Sequence, residues 1–200
     1  MTEKYTYRYK GLDAINVMRY LGSIVEQAVE DKYGRKPDTV IVRRINEEWQ
    51  RIEETWSICD VAALHELTEW LKSKQYPYRI RGCTGSSFVL YLLGITSGNP
   101  LPPHRYCPRC GAVTWVTRRK NGFDIPQGKC CSHDGARLIT DGHDIPWQTL
   151  FGYYEHSPSF DIDLPYELYE PLKREWETHW LRDRSTFGEV EYESDIIDCV

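Results

Sequence analysis

The stretch Phe160-Asp161-Ile162-Asp163-Leu164 sets two carboxylates two residues apart among apolar side chains. Side chains at i and i+2 of a strand leave the same face, so Asp161 and Asp163 are expected side by side with Phe160, Ile162 and Leu164 packed behind. Like charges that close repel, and a hard divalent cation such as Mg²⁺ relieves them while bridging to substrate phosphates. The pair therefore points to phosphoryl-transfer chemistry, against the plainer reading of one capping and one solvated aspartate.

Two hundred residues with 40% hydrophobic content suffice for one substantial domain, or for one domain with a small insertion. The chain contains no run of eighteen apolar residues, and MTEKYTYRYK has no apolar signal region. A membrane partner is therefore not expected, and the expected compartment is the cytoplasm. Of seven cysteines, four fall in a central window and Cys59, Cys83 and Cys199 stand singly, which suits metal binding better than disulfides. A net charge of −5 argues against bulk electrostatic attraction for duplex DNA, so a nucleic-acid contact has to be local.

Ala14, Val17, Met18, Leu21, Val25 and Ala28 recur at helical spacing, and Gly34 with Pro37 closes that segment. A second helix is expected with Ile41, Ile45, Trp49, Ile52 and Trp56 on one face. A third is expected to begin at Asp60 and to carry Val61, Leu64, Leu67 and Leu71. His65, without a ligand-type partner at helical spacing, reads as a surface or packing histidine.

From Arg81, the run R-G-C-T-G-S-S-F-V-L-Y-L-L-G-I-T reads as a glycine- and hydroxyl-rich turn entering a helix that Gly94 ends. Glycines such as Gly82 and Gly85 permit close backbone approach, and free N–H groups of Ser86 and Ser87 at a helix start form an anion site. The expected ligand is a phosphate. No lysine follows the glycines, so this is not a Walker loop, and a ligand-free cap is the plainer reading. Arg79 and Arg81 add positive charge beside it.

The prolines of Asn99 to His104 exclude a helix or central strand and indicate a stiff connector. Cys107-Pro108-Arg109-Cys110-Gly111 is a C-P-x-C-G knuckle, and Cys130 to Gly135 offers a second half at the spacing of structural zinc. The expected ligands are Cys107, Cys110, Cys130 and His133; Cys131 with Asp134 is the other register. A closed four-ligand site implies structure and not catalysis. Arg118, Arg119 and Lys120 between the halves form a small basic tip, able to touch a nucleic-acid backbone or simply solvated. Asp141 to Gly152 reads as a turn around an ambiguous His143, with Pro146 at N1 of a short aromatic helix. Beyond Leu164, a helix with Trp176 and Trp180 to about Arg184 and a short strand over Glu189 to Tyr192 are expected.

In order, R-G-C-T-G-S-S-F-V, L-G-I-T-S-G-N-P-L-P-P-H, C-P-R-C-G, G-F-D-I-P, D-G-H-D-I-P and F-D-I-D-L resemble the catalytic core of PolC-type bacterial DNA polymerase III alpha subunits. The resemblance runs most clearly from Arg81 to Leu164, extends loosely back to about Tyr33, and fades after Pro171. It implies an α+β palm of the polymerase-beta-like nucleotidyltransferase kind. On that resemblance Gly85 and Ser86 meet the incoming deoxynucleoside triphosphate, Arg81 forks onto phosphate oxygens, and Asp161 and Asp163 hold two Mg²⁺. It also makes the zinc ribbon a palm insertion. The implied division is a helical region over 1–80, a palm-like region over 81–104 and 141–200, and a zinc ribbon over 105–140.

Departures accompany the likeness. The family carries a third carboxylate on a later strand, and Glu189, Glu191 and Glu193 are the local substitutes, with Glu191 best placed by alternation. His133 stands where the family usually has cysteine, and Phe160 replaces the proline before the acid pair. The expectation is a DNA polymerase palm fragment, inactive alone or one piece of a split enzyme that meets primer-template DNA through complementing parts or a partner subunit. The alternative is a non-catalytic, zinc-stabilised module that binds a nucleotide or partner.

Overall fold

The computed structural model describes residues 8–9, 12–119, 121–152, 158–172 and 174. A two-residue ladder, β1 (Arg8–Tyr9) against β2 (Leu12–Asp13), leads into α1 (Ala14–Tyr33). One stripe of α1, from Val17 through Leu21, Val25 and Val29 to Tyr33, is buried, and Gly34 closes the helix at φ +74°. A left-handed glycine after the last helical residue is the usual stop, because it carries no Cβ to clash.

Helix α2 (Thr39–Glu54) is capped by the Asp38 carboxylate, which accepts from the Val40 N–H at 2.8 Å. The expected stripe holds through Ile52, but Trp56 lies beyond the helix at φ +58° and is 61% exposed. Helix α3 (Ile58–Ser73) begins two residues before the expected Asp60, with Ser57 at its cap position. Nine of its residues are buried, from Ile58 to Leu71, because it packs against both core clusters, and Glu69, Lys72 and Ser73 stay exposed. His65 is buried there, its Nδ1 3.1 Å from the Leu93 carbonyl, which makes it a packing residue.

Strand β3 (Arg79–Arg81) enters a 3-10 turn over Gly82–Ser86, followed by α4 (Phe88–Leu92) and a stop at Gly94. After the proline connector, β4 (His104–Tyr106), β5 (Val113–Trp115) and β6 (Ile139–Asp141) form an antiparallel sheet of order β5-β4-β6. The short helix α5 (Gln148–Phe151) starts two residues after Pro146 instead of on it. The acid pair lies, as read, on a strand, β7 (Asp161–Asp163).

The main core joins α1, α2, α3 and α4 with Leu101, Phe151 and Phe160. A second cluster packs Ala63, Leu67 and Leu71 of α3 behind Ile162 and Leu168. The fold is thus mixed α and β with small sheets, and α3 is the backing that presents β7. The expected helix around Trp176 and Trp180, the final strand with Glu189, Glu191 and Glu193, and Lys120 lie outside the described residues.

Candidate active site and metal centre

Strands β3 and β7 pair antiparallel with Arg79 opposite Asp163, Ile80 opposite Ile162 and Arg81 opposite Asp161. Cross-strand partners share a face, so two arginines and two aspartates stand together while the isoleucines face the α3 side. Arg81 Nη1 lies 3.1 Å from Asp163 Oδ1 in an exposed ion pair, so the acid pair is partly neutralised from within the chain. Such an exposed pair is worth about 0–1 kcal/mol and yields easily to a stronger ligand.

Arg81, Gly82, Asp161, Ile162 and Asp163 line one open cleft. Gly82 sits at φ +59°, and a Cβ there would overlap the Asp161 carboxylate. Only glycine suits both demands, a left-handed backbone and a close carboxylate. Thr84, fully buried and not singled out in the sequence, accepts the Asp161 N–H on its hydroxyl at 2.9 Å, tying the turn to the strand. Nothing lies within 4 Å of a Cβ built on Gly85, so that part of the turn faces open space.

The start of α4 holds a different partner from the expected phosphate. Glu48, fully buried on α2, accepts from the Ser87 hydroxyl at 2.6 Å and from the Phe88 and Val89 N–H groups at 2.9 Å each. The orphan donors of the helix start are therefore satisfied by the chain's own carboxylate. Arg44 pairs with Glu48 and also donates to the carbonyls of Ser86 (2.7 Å) and Ile145 (2.9 Å). Ser86 and Ser87 are buried, and the Ser86 hydroxyl donates to the Cys83 carbonyl at 2.8 Å. These two serines shape the turn from behind, whereas Arg81, Gly82 and the two aspartates reach the cleft.

The second cluster joins Cys107, Cys110, Cys131 and Asp134, whose ligand atoms all lie within 4.8 Å of one another. The structure gathers the other register: Cys131 and Asp134, in place of the expected Cys130 and His133, stand with Cys107 and Cys110. The reason is a repeated knuckle. Cys107 N–H donates to the Ala112 carbonyl and Gly111 N–H to Cys107; Cys131 N–H donates to Ala136 and Gly135 N–H to Cys131. Gly111 and Gly135 have matching φ of +72° and +71°. C-P-R-C-G-A and C-S-H-D-G-A are therefore the same turn, with Asp134 in the place of Cys110. Cys130 is exposed one residue before the knuckle, and His133 borders the cluster with Nδ1 3.8 Å from Cys110 Sγ.

The donor set fits a tetrahedral ion. Metal–sulfur bonds of about 2.3 Å at tetrahedral angles place sulfurs about 3.8 Å apart. Cys110 Sγ and Cys131 Sγ are 3.6 Å apart, and Cys107 Sγ lies 3.2 Å from Asp134 Oδ2. The Ala136 N–H holds the Asp134 carboxyl below its usual range, and the His133 N–H lowers the Cys131 thiol, both favouring the charged ligand form. At Cys110 the Ala112 N–H pulls the other way from burial and the neighbouring Cys107 and Cys131, which outweigh it and push the thiol up to about 11.

A buried polar network, which the sequence reading missed, fastens this sheet to α1. Lys32 Nζ donates to Asp141 at 2.7 Å and also meets the Tyr91 hydroxyl, while Asn99 donates to Asp141 (2.8 Å) and to the Tyr33 oxygen (2.9 Å). The Tyr33 hydroxyl lies 3.1 Å from His104 Nε2, and His104 Nδ1 lies 2.8 Å from the Pro102 carbonyl. Burial pulls the Lys32 ammonium down, but Asp141 and Tyr91 outweigh it and leave its pKa raised. Burial pushes the Asp141 carboxyl up, and the Lys32 and Asn99 bonds outweigh that and leave it low. A Cβ on Gly111 would overlap the Tyr33 carbonyl, so the first knuckle sits directly on the end of α1.

A family model described as "Bacterial DNA polymerase III alpha NTPase domain" matches residues 19–184. DNA polymerase III PolC-type of Thermotoga petrophila is 34% identical over 164 residues, 80% of this chain and 12% of that protein. The protein of the same name from Ureaplasma parvum is 34% identical over 159 residues, 79% of this chain and 10% of its own. That of Bacillus subtilis is 33% identical over 171 residues, covering 84% of this chain and 11% of its own. The chain thus spans about a tenth of the length of the curated relatives it matches. Among the described residues no helix is long and apolar enough to cross a membrane. A family model running across most of the chain, together with relatives matched over about four fifths of it, shows that the chain belongs to the bacterial DNA polymerase III alpha family of PolC type.

Proposed function

We propose that this chain is a palm fragment of a cytoplasmic PolC-type DNA polymerase, serving nucleotidyl transfer from deoxynucleoside triphosphates onto primer-template DNA. The observation that carries the reading is the β3–β7 pairing, which sets Asp161 and Asp163 beside the Arg81-Gly82 turn in one cleft. Asp161 and Asp163 would hold Mg²⁺, which supplies activation of the primer 3′-hydroxyl and charge neutralisation at the leaving pyrophosphate. Arg81, released from Asp163, would meet phosphate oxygens with its planar fork. Gly82 and Gly85 keep the turn free of side chains where a triphosphate approaches, and Ser86 and Ser87 hold the turn's shape through Arg44 and Glu48. The chain is read as helices over 1–80, palm over 81–104 and 141–200, and a structural zinc ribbon over 105–140 inserted between.

Two-metal transfer needs a further anchoring carboxylate, which we assign to complementing polymerase parts or a partner subunit. The chain alone is then expected to bind Mg²⁺ and nucleotide without extending a primer. A second reading, a zinc-stabilised nucleotide- or partner-binding module without catalysis, is favoured by one observation, the Arg81–Asp163 pair that already balances the acids. Primed template with all four nucleotides and Mg²⁺ tests both. Extension by this chain together with the rest of a PolC-type polymerase, lost in Asp161→Asn, supports the enzyme reading. Nucleotide binding with no extension in that mixture selects the module.

A further inference from the structure

Residues 105–140 contain seven Lys and Arg against two Asp and no Glu, a formal +5 within a chain of −5, so the other 164 residues carry −10. An ion of charge +2 held by three thiolates would remove only one unit of that positive charge. In the three-stranded sheet, His104, Tyr106, Val113 and Trp115 alternate onto one face, and Tyr106, Val113 and Trp115 pack on the main core. Alternation leaves Arg105, Thr114 and Thr140 in a row on the opposite, outer face. Arg105 reaches the Pro126 carbonyl at 3.2 Å, which fastens the segment after β5 across that row.

On this segment stands Phe123, a residue 85% exposed. A single exposed aromatic is ordinary, but this one is held. Asn121 Oδ1 accepts from the Phe123 and Asp124 N–H groups at 2.9 and 3.1 Å, and a Cβ on Gly122 would overlap the Asp141 backbone. The Phe123 ring meets the His143 ring at 5.3 Å, which leaves its remaining surface to solvent. Arg109, Arg118, Arg119, Lys129 and Arg137 of the same module are exposed.

We propose that this basic module binds single-stranded nucleic acid, with Phe123 stacking on a base and the exposed arginines meeting backbone phosphates. A fixed aromatic a few residues from Arg118 and Arg119 in a segment of net positive charge suits sequence-tolerant single-strand binding, because every base offers a π-face and every nucleotide a phosphate. A duplex keeps its bases stacked away from such a ring, and the acidic remainder of the chain repels its dense charge. An acidic protein segment would use the charge but leave the ring without a role. The inference does not depend on what Asp161 and Asp163 do, so it stands or falls separately from the polymerase reading.

The experiment is fluorescence anisotropy of the metal-loaded full chain with labelled oligothymidylate of about 20 nucleotides, longer than a common single-strand site. A duplex of equal length and unlabelled polyglutamate serve as comparison and competitor. Oligothymidylate is expected to bind more tightly than the duplex and to resist polyglutamate. Phe123→Ala is expected to weaken binding about tenfold, which is about 1.4 kcal/mol. Arg118→Gln with Arg119→Gln is expected to weaken binding and lower the logarithmic salt slope by about 1.4, at about 0.7 per lost single-strand phosphate contact. All three positions are exposed, so the fold survives, which unchanged circular dichroism and metal content verify. No binding of oligothymidylate, a Phe123→Ala affinity within about twofold of wild type, equal or tighter duplex binding, or full competition by polyglutamate each overturns the proposal.

Discussion

The Glu48 carboxylate on α2 accepts the Val89 N–H of α4 at 2.9 Å, closing over the start of the helix that follows the cleft turn. Glu48 is fully buried, and Arg44, the Ser87 hydroxyl and two backbone donors together bond its carboxylate oxygens. Glu48→Ala is expected to destabilise the fold by about 3–5 kcal/mol, since it strands the Arg44 charge and the helix donors at once. Glu48→Gln, which keeps the shape and loses the charge, should cost less. Urea unfolding midpoints check the order; equal stability of Glu48→Ala and wild type would remove the α4 cap from the account.

Metal retention should follow the repeated knuckle. Cys107→Ser and Cys131→Ser are each expected to reduce bound zinc from about one per chain to near zero, with Cys130→Ser close to wild type. His133→Ala should lie nearer Cys130→Ser than Cys131→Ser, and Asp134→Cys should strengthen retention, because thiolate suits zinc better than carboxylate. Metal analysis after chelator challenge ranks the variants. Loss in Cys130→Ser with retention in Cys131→Ser would restore the register first expected.

Asp60, in the first turn of α3, has its carboxyl pushed up to about 6 by burial. A carboxyl whose folded pKa exceeds its unfolded value binds more protons in the native state. Its contribution is therefore fully present below the unfolded value near 3.8 and is lost as pH rises through about 6. Asp60→Asn should then stabilise the protein at pH 7, by on the order of 1–3 kcal/mol, with the advantage vanishing near pH 4. Thermal midpoints of both proteins across that range give the answer, and a gain independent of pH would place its cause elsewhere.

Gly82 and Gly85 should separate cleanly. Gly82→Ala forces a left-handed non-glycine residue and crowds Asp161, so it is expected to cost about 1–2 kcal/mol and to abolish thermal stabilisation by a deoxynucleoside triphosphate with Mg²⁺. Gly85→Ala meets open space and should leave the fold intact, weakening nucleotide stabilisation only through the added bulk. At a hundredfold excess over Kd the wild-type stabilisation is about 2.7 kcal/mol. Equal shifts in wild type, Gly82→Ala and Asp161→Asn would show that the nucleotide binds away from the cleft.

Periodicity and punctuation carried much of the fold. The stripe of α1 ended at Gly34, and the alternation around Asp161 and Asp163 made a strand, because local backbone preference and one-sided burial impose those patterns on neighbours in sequence. Helix α3 began earlier than Asp60 suggested because its first residue, Ile58, is buried and Ser57 precedes it at the cap position, which leaves Asp60 inside the first turn. The metal register was legible in principle. The repeat of C-x-x-C-G-A as C-x-x-D-G-A carries the left-handed glycine that closes each knuckle, a stronger signal than the preference for histidine as ligand.

The sequence by itself determined the acid pair, the glycine turn, the two knuckles and their order, since each is a local arrangement of residue types within a few positions. Only the tertiary structure decided which groups face one another across long separations. It set Arg81 against Asp163, placed Glu48 rather than a phosphate at the start of α4, and joined Lys32 to Asp141. The β3–β7 register brings Arg81 to Asp163, whereas the Glu48 and Lys32 pairings are settled by packing: burying α1 to α4 around one core removes these polar groups from water, where they bond the partners that the backbone brings within about 3 Å.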